Sequence, residues 1–285
     1  MKPNGMQQLN PDTFQQDFYR YGEGLKEQLE LILLAETDST NRVAWDAVSA
    51  ASASASPTQE ILVIAERQTA GRGQWGRSWQ SEPGGLYLSL GILLRPDLAI
   101  PNDRFPLIPL FTALEVAQGL QQHQIPVSLK WPNDLRLAGQ KLGGLLVETR
   151  HSRLNPAIVI GLGLNWQNQP PAPGIALHPY QQEHNLTTIE SLPQLAAIVF
   201  KGLKQGYAAW CNPQMNLADF IHRYESQLAY RGRWIPVGSQ LGDSKVGGSE
   251  LGQILGITAT GALRVAVNGV EQGFMPGSLQ LGWGE

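Results

Sequence analysis

The sequence predicts a mixed α/β domain followed by a small all-β module. Aliphatic runs typical of buried strands alternate with helical patterns over most of the chain. From Gly232 onward, short strand-like runs are separated by glycines, a pattern that indicates an SH3-like barrel. We therefore expect an N-terminal extension over residues 1–30, a main domain over residues 31–228 and a β module over residues 229–285.

The main domain is predicted to begin with a strand, a helix and a second strand. The aliphatic run at residues 31–35 predicts the first strand, and residues 38–41 supply N-cap side chains for a helix that extends toward Val48. The Ala/Ser tract at residues 50–56 indicates a surface loop or a frayed helix end. A second aliphatic run predicts the next strand at residues 60–66.

The remaining elements are predicted from the spacing of apolar residues, which differs between helices and strands. Further strands are predicted at residues 86–94, 127–131, 142–148 and 156–165, with turns at 132–135 and 138–141. Helices are predicted at about 106–122, 192–210 and 217–226, and a proline-rich loop at 166–179. In the β module, strands are predicted at 234–237, 252–257 and 262–267, with turns at 246–249 and 267–270.

Composition excludes several classes of protein. The 285 residues are 42% hydrophobic, so the chain can bury a substantial core, and the net charge of −3 does not favour a nucleic-acid partner. No apolar run is long enough to span a membrane, and the N-terminus lacks the pattern of a signal peptide, so we expect a cytoplasmic protein. A single cysteine, Cys211, excludes an intramolecular disulfide, and the scattered histidines make a zinc site improbable.

The strongest local signal is a loop rich in glycine and arginine. Residues 71–77 contain three glycines and two arginines and follow the predicted strand at residues 60–66. Glycine lets the backbone approach an anion closely, and guanidinium groups offer forked donors for phosphate oxygens. The loop lacks the G-x-x-x-x-G-K-S/T spacing of a P-loop, so alone it leaves kinase, synthetase and ligand sensor open.

Five segments, taken together, resemble one known family. They are residues 38–41, 66–79, 130–135, 141–148 and 161–165. In this order and spacing they resemble the biotin protein ligases, clearly over residues 31–165 and more loosely in the β module. The resemblance implies a catalytic α/β domain related to class II aminoacyl-tRNA synthetases, followed by an SH3-like domain.

The resemblance also implies a reaction. Biotin and ATP form biotinyl-5′-adenylate and pyrophosphate, and biotin then passes to a lysine of the biotin carboxyl carrier protein of acetyl-CoA carboxylase. Mg²⁺ is expected to arrive with the phosphates of ATP. Only about thirty residues precede the first strand, so the resemblance implies a form without an N-terminal DNA-binding domain and without specific DNA binding, either monomer or homodimer.

Site residues follow from the matched motifs. Lys141 and Arg72 are expected to be catalytic, and Asp134 is the candidate Mg²⁺ ligand or loop-ordering residue. The expected biotin contacts are Ser39, Thr40, Asn41, Gln68, Gly73, Gln74, Lys141, Gly143, Gly144 and Leu146. The expected nucleotide contacts are Gly71, Arg72, Arg77, Trp79, Asn133 and Asn165. Taken singly, residues 38–41 would indicate only a helix cap, and Glu148 a structural hydrogen-bonding residue.

The chain departs from the family at Gln74, where many members carry an arginine that helps to hold the adenylate. Because that charge is missing, we expect looser retention of biotinyl-adenylate, unless the neighbouring Trp75 compensates by stacking. Two other functions stay open. A lipoate-type protein ligase shares the chemistry, but its Arg-Arg-x-x-Gly-Gly-Gly pattern has no counterpart here. The other open function is a non-catalytic biotin or nucleotide sensor, which is disfavoured because the chain retains Lys141, the expected catalytic lysine.

Overall fold

The computed structural model describes residues 10–22, 29–53, 60–94, 100–150, 156–237, 250–279 and 281. The strands are β1 (Leu29–Thr37), β2 (Glu60–Gln68), β3 (Leu86–Leu93), β4 (Ser128–Lys130), β5 (Asp134–Leu137), β6 (Gln140–Arg150), β7 (Ala157–Leu164), β8 (Trp234–Val237), β9 (Glu250–Ile257), β10 (Leu263–Val267) and β11 (Val270–Phe274). The helices are α1 (Pro11–Tyr21), α2 (Thr40–Ala53), α3 (Ile108–Gln122), α4 (Leu177–Glu183), α5 (Leu192–Cys211) and α6 (Leu217–Gln227). Within this described part, no helix combines the length and the apolar character needed to cross a bilayer.

The main domain is built on a seven-stranded sheet with the strand order β1-β2-β3-β7-β6-β5-β4. Strands β1 and β2 are parallel and are connected through α2, while the remaining neighbours pair antiparallel. Helix α2 covers one face, where Ala44, Trp45 and Val48 pack with Ile61 and Val63. Helices α1, α3 and α5 contribute to the larger core on the other side. The central strands are buried because both of their faces are covered.

The predicted fold class is confirmed, and four elements were not predicted, among them β11, which follows the predicted turn at residues 267–270. Helix α1 lies within the N-terminal extension, is capped by the Asn10 side chain and buries Phe14 and Phe18 in the core. Strand β5 occupies four residues beside the predicted turn, and α4 begins near the end of the predicted proline-rich loop. The two strands and α4 are short, so hydrophobic periodicity had few residues on which to act, whereas α1 is as long as the predicted α6. Residues 50–53 of the Ala/Ser tract end α2.

The β module is a four-stranded antiparallel sheet with the strand order β11-β10-β9-β8. Its predicted turn at residues 267–270 connects β10 to β11, and Asn268 and Gly269 both adopt the positive φ that such a tight turn requires. The predicted turn at residues 246–249 lies outside the described residues.

Buried polar contacts join the module to the main domain. The indole Nε1 of Trp131 donates to the carbonyl of Gly261 at 2.9 Å. The Glu225 carboxylate accepts from the Ile257 backbone N–H at 2.9 Å and pairs with Arg231 at 3.0 Å. Because buried polar groups must find partners, these contacts fix the module against Trp131 and helix α6.

The Trp131 contact predicts a measurable loss of stability. Trp131→Phe keeps an aromatic ring but leaves the buried carbonyl of Gly261 without its donor, which costs about 1–3 kcal/mol of unfolding free energy. Urea unfolding measures the change. Trp234→Phe is the control, because Trp234 is 61% exposed whereas Trp131 is 3% exposed. Equal stability of the two variants would contradict this account of the domain contact.

Candidate active site

One cavity of about 370 Å³ lies where the glycine-arginine loop meets the β4–β6 end of the sheet. Its lining includes these residues predicted from the sequence: Ser39, Thr40, Asn41, Gln68, Arg72, Gly73, Gln74, Arg77, Trp79, Asn133, Asp134, Lys141, Gly144 and Leu146. Four separate stretches of chain therefore converge on a single concave surface.

One wall is a buried hydrogen-bond network at the start of α2. The Oε1 of Gln68 accepts from the backbone N–H of Thr40 at 2.8 Å and from its hydroxyl at 3.1 Å. The amide Nε2 of Gln68 donates to the Ser81 hydroxyl at 2.8 Å. Gln68 at the end of β2 is thus held in one orientation against the helix N-terminus, with Ser39 beside it.

Asn41 is held at both ends of its amide. Its Nδ2 donates to Glu148 at 2.8 Å, and its Oδ1 accepts from the Ser89 hydroxyl at 2.6 Å. A methyl group at Gly161 would overlap Asn41 Oδ1, so glycine is required for this close approach. The sequence predicts Asn41 as a biotin contact, and the structure shows that it also ties α2 to β3 and β6.

The glycine-arginine loop closes on itself as a narrow hairpin. The Gly73 N–H donates to the Arg77 carbonyl at 2.7 Å, and the Trp79 N–H donates to the Gly71 carbonyl at 2.8 Å. At its tip Trp75 has φ 60° and ψ 36°, the left-handed conformation. The Trp75 ring lies directly against Gly277 of the C-terminal segment, where a methyl group would overlap it.

Two ion pairs place the predicted catalytic cations. Arg72 pairs with Glu148 through two hydrogen bonds of 3.1 and 2.9 Å. The Nζ of Lys141 lies 2.7 Å from the Asp134 carboxylate and 5.3 Å from the centre of the Trp79 ring. Lys141 is thus directed into the cavity by a carboxylate and an aromatic face together.

Backbone contacts hold the Lys141 hairpin from behind. The Lys141 N–H donates to the carbonyl of Pro173 at 2.9 Å. The Lys141 carbonyl accepts from the Ile175 N–H at 3.0 Å and from the Asn165 side chain at 3.3 Å. The segment after β7 therefore fixes the position from which the Lys141 side chain starts.

Lys130 is a cavity residue to which the sequence analysis gave no role. It is 5% exposed, and burial lowers the pKa of its ammonium group to about 8. The positive charges of Lys141 and Arg77 lower this pKa further, while the Asp134 carboxylate opposes them. The cavity therefore concentrates positive charge in a partly desolvated space, which suits an anionic ligand.

Three predicted residues do not line the cavity. Gly71 lies in the loop against Ser81, Gly143 packs on the backbone of β7, and Asn165 is buried behind Lys141. The sequence analysis assigned no role to several lining residues that the fold brings in: Lys130, Trp131, Gly161, Gly163, Gly277, Leu279 and Leu281. Lys130 lies in the segment 130–135, which resembles the family, so a role for it could have been predicted. The C-terminal residues carry no local sequence signal.

Metal ligands are sparse in this region. Within the described ranges, no group of three or more His, Cys, Asp or Glu side chains is arranged to hold a metal ion. Asp134 is the one carboxylate among the described residues that line the cavity. An ion here would need most of its ligands from a bound phosphate or from water.

Comparison with known proteins identifies the same region of the chain. The family model "Biotin/lipoate A/B protein ligase family" matches residues 33–165. Among curated proteins, the bifunctional ligase/repressor BirA of Bacillus subtilis is 41% identical over 113 residues, covering 38% of this chain and 33% of that protein. The chain thus spans about a third of the length of this relative.

Other relatives match over more of the chain. The biotin–[acetyl-CoA-carboxylase] ligase of Mycobacterium tuberculosis is 27% identical over 234 residues, covering 78% of this chain and 77% of that protein. Among solved structures, the biotin protein ligase from Aquifex aeolicus in complex with biotin and ATP is 26% identical, with a TM-score of 0.64. It covers 87% of this chain and 97% of that structure. Residues 33–165 are thus similar to the biotin/lipoate A/B protein ligase family.

Proposed function

We propose that the chain is an ATP-dependent biotin–[acetyl-CoA-carboxylase] ligase. The observation that carries this proposal is the cavity itself, in which a polar, buried wall faces a cluster of cations. Two named relatives support it. The Mycobacterium tuberculosis protein is a biotin–[acetyl-CoA-carboxylase] ligase, and the Aquifex aeolicus structure contains biotin and ATP.

The polar wall suits the head group of biotin. A ureido ring presents one carbonyl and two N–H groups, which require short polar side chains at the end of a pocket. Ser39 and Thr40 supply hydroxyl groups there, and Gln68 is already oriented by Thr40 and Ser81. Leu146 gives the same pocket an apolar surface against which the ring would lie.

The cations suit the first reaction step. A biotin carboxylate oxygen bonds to the α-phosphorus of ATP, and the bond from that phosphorus to pyrophosphate breaks. Negative charge accumulates on the phosphate oxygens, so cations fixed in advance stabilise the transition state. In this proposal Lys141 would meet both reactants, Arg72 and Arg77 of the loop would contact phosphate oxygens, and Trp79 would lie by the adenine; all four residues line the cavity.

The cavity also fits a phosphate-bound Mg²⁺ ion. Mg²⁺ keeps several waters and is commonly held by one or two carboxylates together with substrate phosphates. Asp134 would be the protein ligand, and the ion would neutralise charge on the phosphates. Because Asp134 also pairs with Lys141 at 2.7 Å, it would hold the Mg²⁺ ion close to the Lys141 ammonium group.

The second step transfers biotin to its acceptor. The neutral amine of a lysine attacks the acyl carbonyl of the adenylate, an amide bond forms as the amine loses one proton to solvent, and AMP leaves with the electron pair of the broken C–O bond. The acceptor in this proposal is the biotin carboxyl carrier protein of acetyl-CoA carboxylase, and the reaction takes place in the cytoplasm.

Exchange of labelled pyrophosphate into ATP tests the first step. We expect exchange that requires biotin and that lipoate does not support. Lys141→Ala should lower the rate by about 10²–10³, because it removes a fixed charge at the reacting centre. Lys201→Ala, on the exposed face of α5, is the control and should keep the wild-type rate. Exchange driven by lipoate, or none with either acid, would refute the proposal.

Gln74 gives a prediction about the intermediate. Gln74→Arg should slow dissociation of biotinyl-adenylate by about tenfold or more, since a charge-assisted hydrogen bond contributes about 1.5–3 kcal/mol. Gln74 lines the cavity, so the new guanidinium group would face the ligand. Rapid dilution of the preformed complex measures the rate, with Gln74→Met as the uncharged control. An unchanged rate in Gln74→Arg would rule out this role of the position.

Lys130 predicts a linkage between ATP binding and protons. Its pKa is about 8 in the free protein, so above pH 8 the amine is mostly neutral. A bound polyphosphate raises this pKa, so at pH 9 ATP binding should take up nearly one proton. Calorimetry in two buffers of different ionisation enthalpy measures the uptake. Lys130→Met should abolish it, and wild-type binding without uptake would contradict the prediction.

A further inference from the structure

Glu148 links the two halves of the cavity through three hydrogen bonds. Its Oε1 accepts from Arg72 Nη1 at 3.1 Å, and its Oε2 accepts from Arg72 Nη2 at 2.9 Å and from Asn41 Nδ2 at 2.8 Å. Arg72 belongs to the loop assigned to phosphate binding, and Asn41 belongs to the wall assigned to biotin. One carboxylate on β6 thus contacts both sides of the cavity.

We propose that Glu148 is a positioning residue. It fixes the Arg72 and Asn41 side chains relative to each other, so that the proposed biotin contacts and the proposed phosphate contacts are correctly spaced. This inference rests on the proposed ligase function. Glu148 lies outside the cavity lining, and acts only through the two residues that it holds.

The geometry leaves Arg72 able to bind a ligand. A guanidinium group carries five N–H donors, and the pair with Glu148 uses one from each terminal nitrogen. Three donors remain for phosphate oxygens. Glu148 therefore orients the guanidinium plane of Arg72 without using up its capacity to bind an anion.

Arg72 also has an alternative direction in which to turn. A second hollow of about 400 Å³ is lined by both members of the Arg72–Glu148 pair, and Ser39 and Arg72 line both spaces. Asp38 and Asp46 also line the second hollow, but both pair there with Arg42. Without its two hydrogen bonds to Glu148, the guanidinium group of Arg72 would be able to turn toward either space.

Asn41 depends on Glu148 in a complementary way. Its Oδ1 is occupied by the Ser89 hydroxyl. Its Nδ2 donates to Glu148 at 2.8 Å and, over a longer distance of 3.4 Å, to the Leu146 carbonyl, so Glu148 is the closer of the two acceptors that orient the Nδ2 end. An amide at position 148 would not replace the carboxylate, because its NH₂ group would face a donor from either Arg72 or Asn41. In Glu148→Gln the new side chain therefore has nearly the same shape as glutamate but cannot accept all three hydrogen bonds.

The test compares Glu148→Gln and Glu148→Asp in biotin-dependent pyrophosphate exchange. We expect Glu148→Gln to lower kcat/KM by about tenfold or more and to raise KM for biotin and for ATP together. Glu148→Asp keeps the charge and should recover part of the loss. Glu36→Gln is the matched control, because Glu36 pairs with Arg67 at 2.9 Å on the exposed surface of neighbouring strands, away from the cavity.

A double variant separates positioning from mere structural support. If Glu148 acts through Arg72, Glu148→Gln should cost far less activity in an Arg72→Ala background than in the wild type. Thermal unfolding should be unchanged to within about 2 °C for both Glu148 variants. Additive losses, a wild-type KM for both substrates, or activity lost only in step with the melting temperature would each overturn the inference.

Failure of this inference is distinct from failure of the proposed function. A wild-type protein that catalyses biotin-dependent exchange, together with a Glu148→Gln variant of equal activity, removes the positioning role and leaves the ligase assignment intact. A wild-type protein without exchange removes both.

Discussion

The crowding of positive charge around a partly desolvated cavity is the constraint on which the site depends. Lys130, Lys141 and Arg77 lie close enough for their charges to affect one another, and burial already disfavours the ammonium form of Lys130. Such an arrangement holds only if counter-charges are fixed nearby. Asp134 is the counter-charge of Lys141, and Glu148 is the counter-charge of Arg72. The architecture can be understood as a means of holding these two carboxylates in place.

The sheet provides that placement. Asp134 begins β5 and pairs with Gly144 of β6, so the hairpin between them brings Lys141 back toward the same carboxylate. Glu148 lies further along β6, on the same strand, opposite the start of α2. One strand therefore carries both Lys141 and Glu148, the ion-pair partner of Arg72. The two sides of the cavity share a single rigid support, which limits their relative motion.

The long elements could be predicted from the sequence because their periodicity extends over many residues. The strand at residues 60–66 and the helix at 192–210 are examples, and both are present with small changes at their ends. Helix α1 carried a usable signal, since Asn10 followed by Pro11 is a typical N-cap and Phe14 and Phe18 lie one turn apart.

The site was predictable where neighbouring residues in the sequence act together, as in the glycine-arginine loop. Contacts between distant segments were not predictable. The Arg72–Glu148 pair joins residues 76 positions apart, and no local pattern indicates that these two side chains meet. The same holds for the contact of Trp75 with Gly277. The C-terminal residues on this side of the cavity also bear on the order in which the parts of the cavity are synthesised. The seven-stranded sheet is complete at Leu164, whereas Gly277, Leu279 and Leu281 of the cavity wall are synthesised much later. During translation, all seven strands are therefore made while one side of the pocket is still missing. Residues translated long after the sheet therefore complete the cavity.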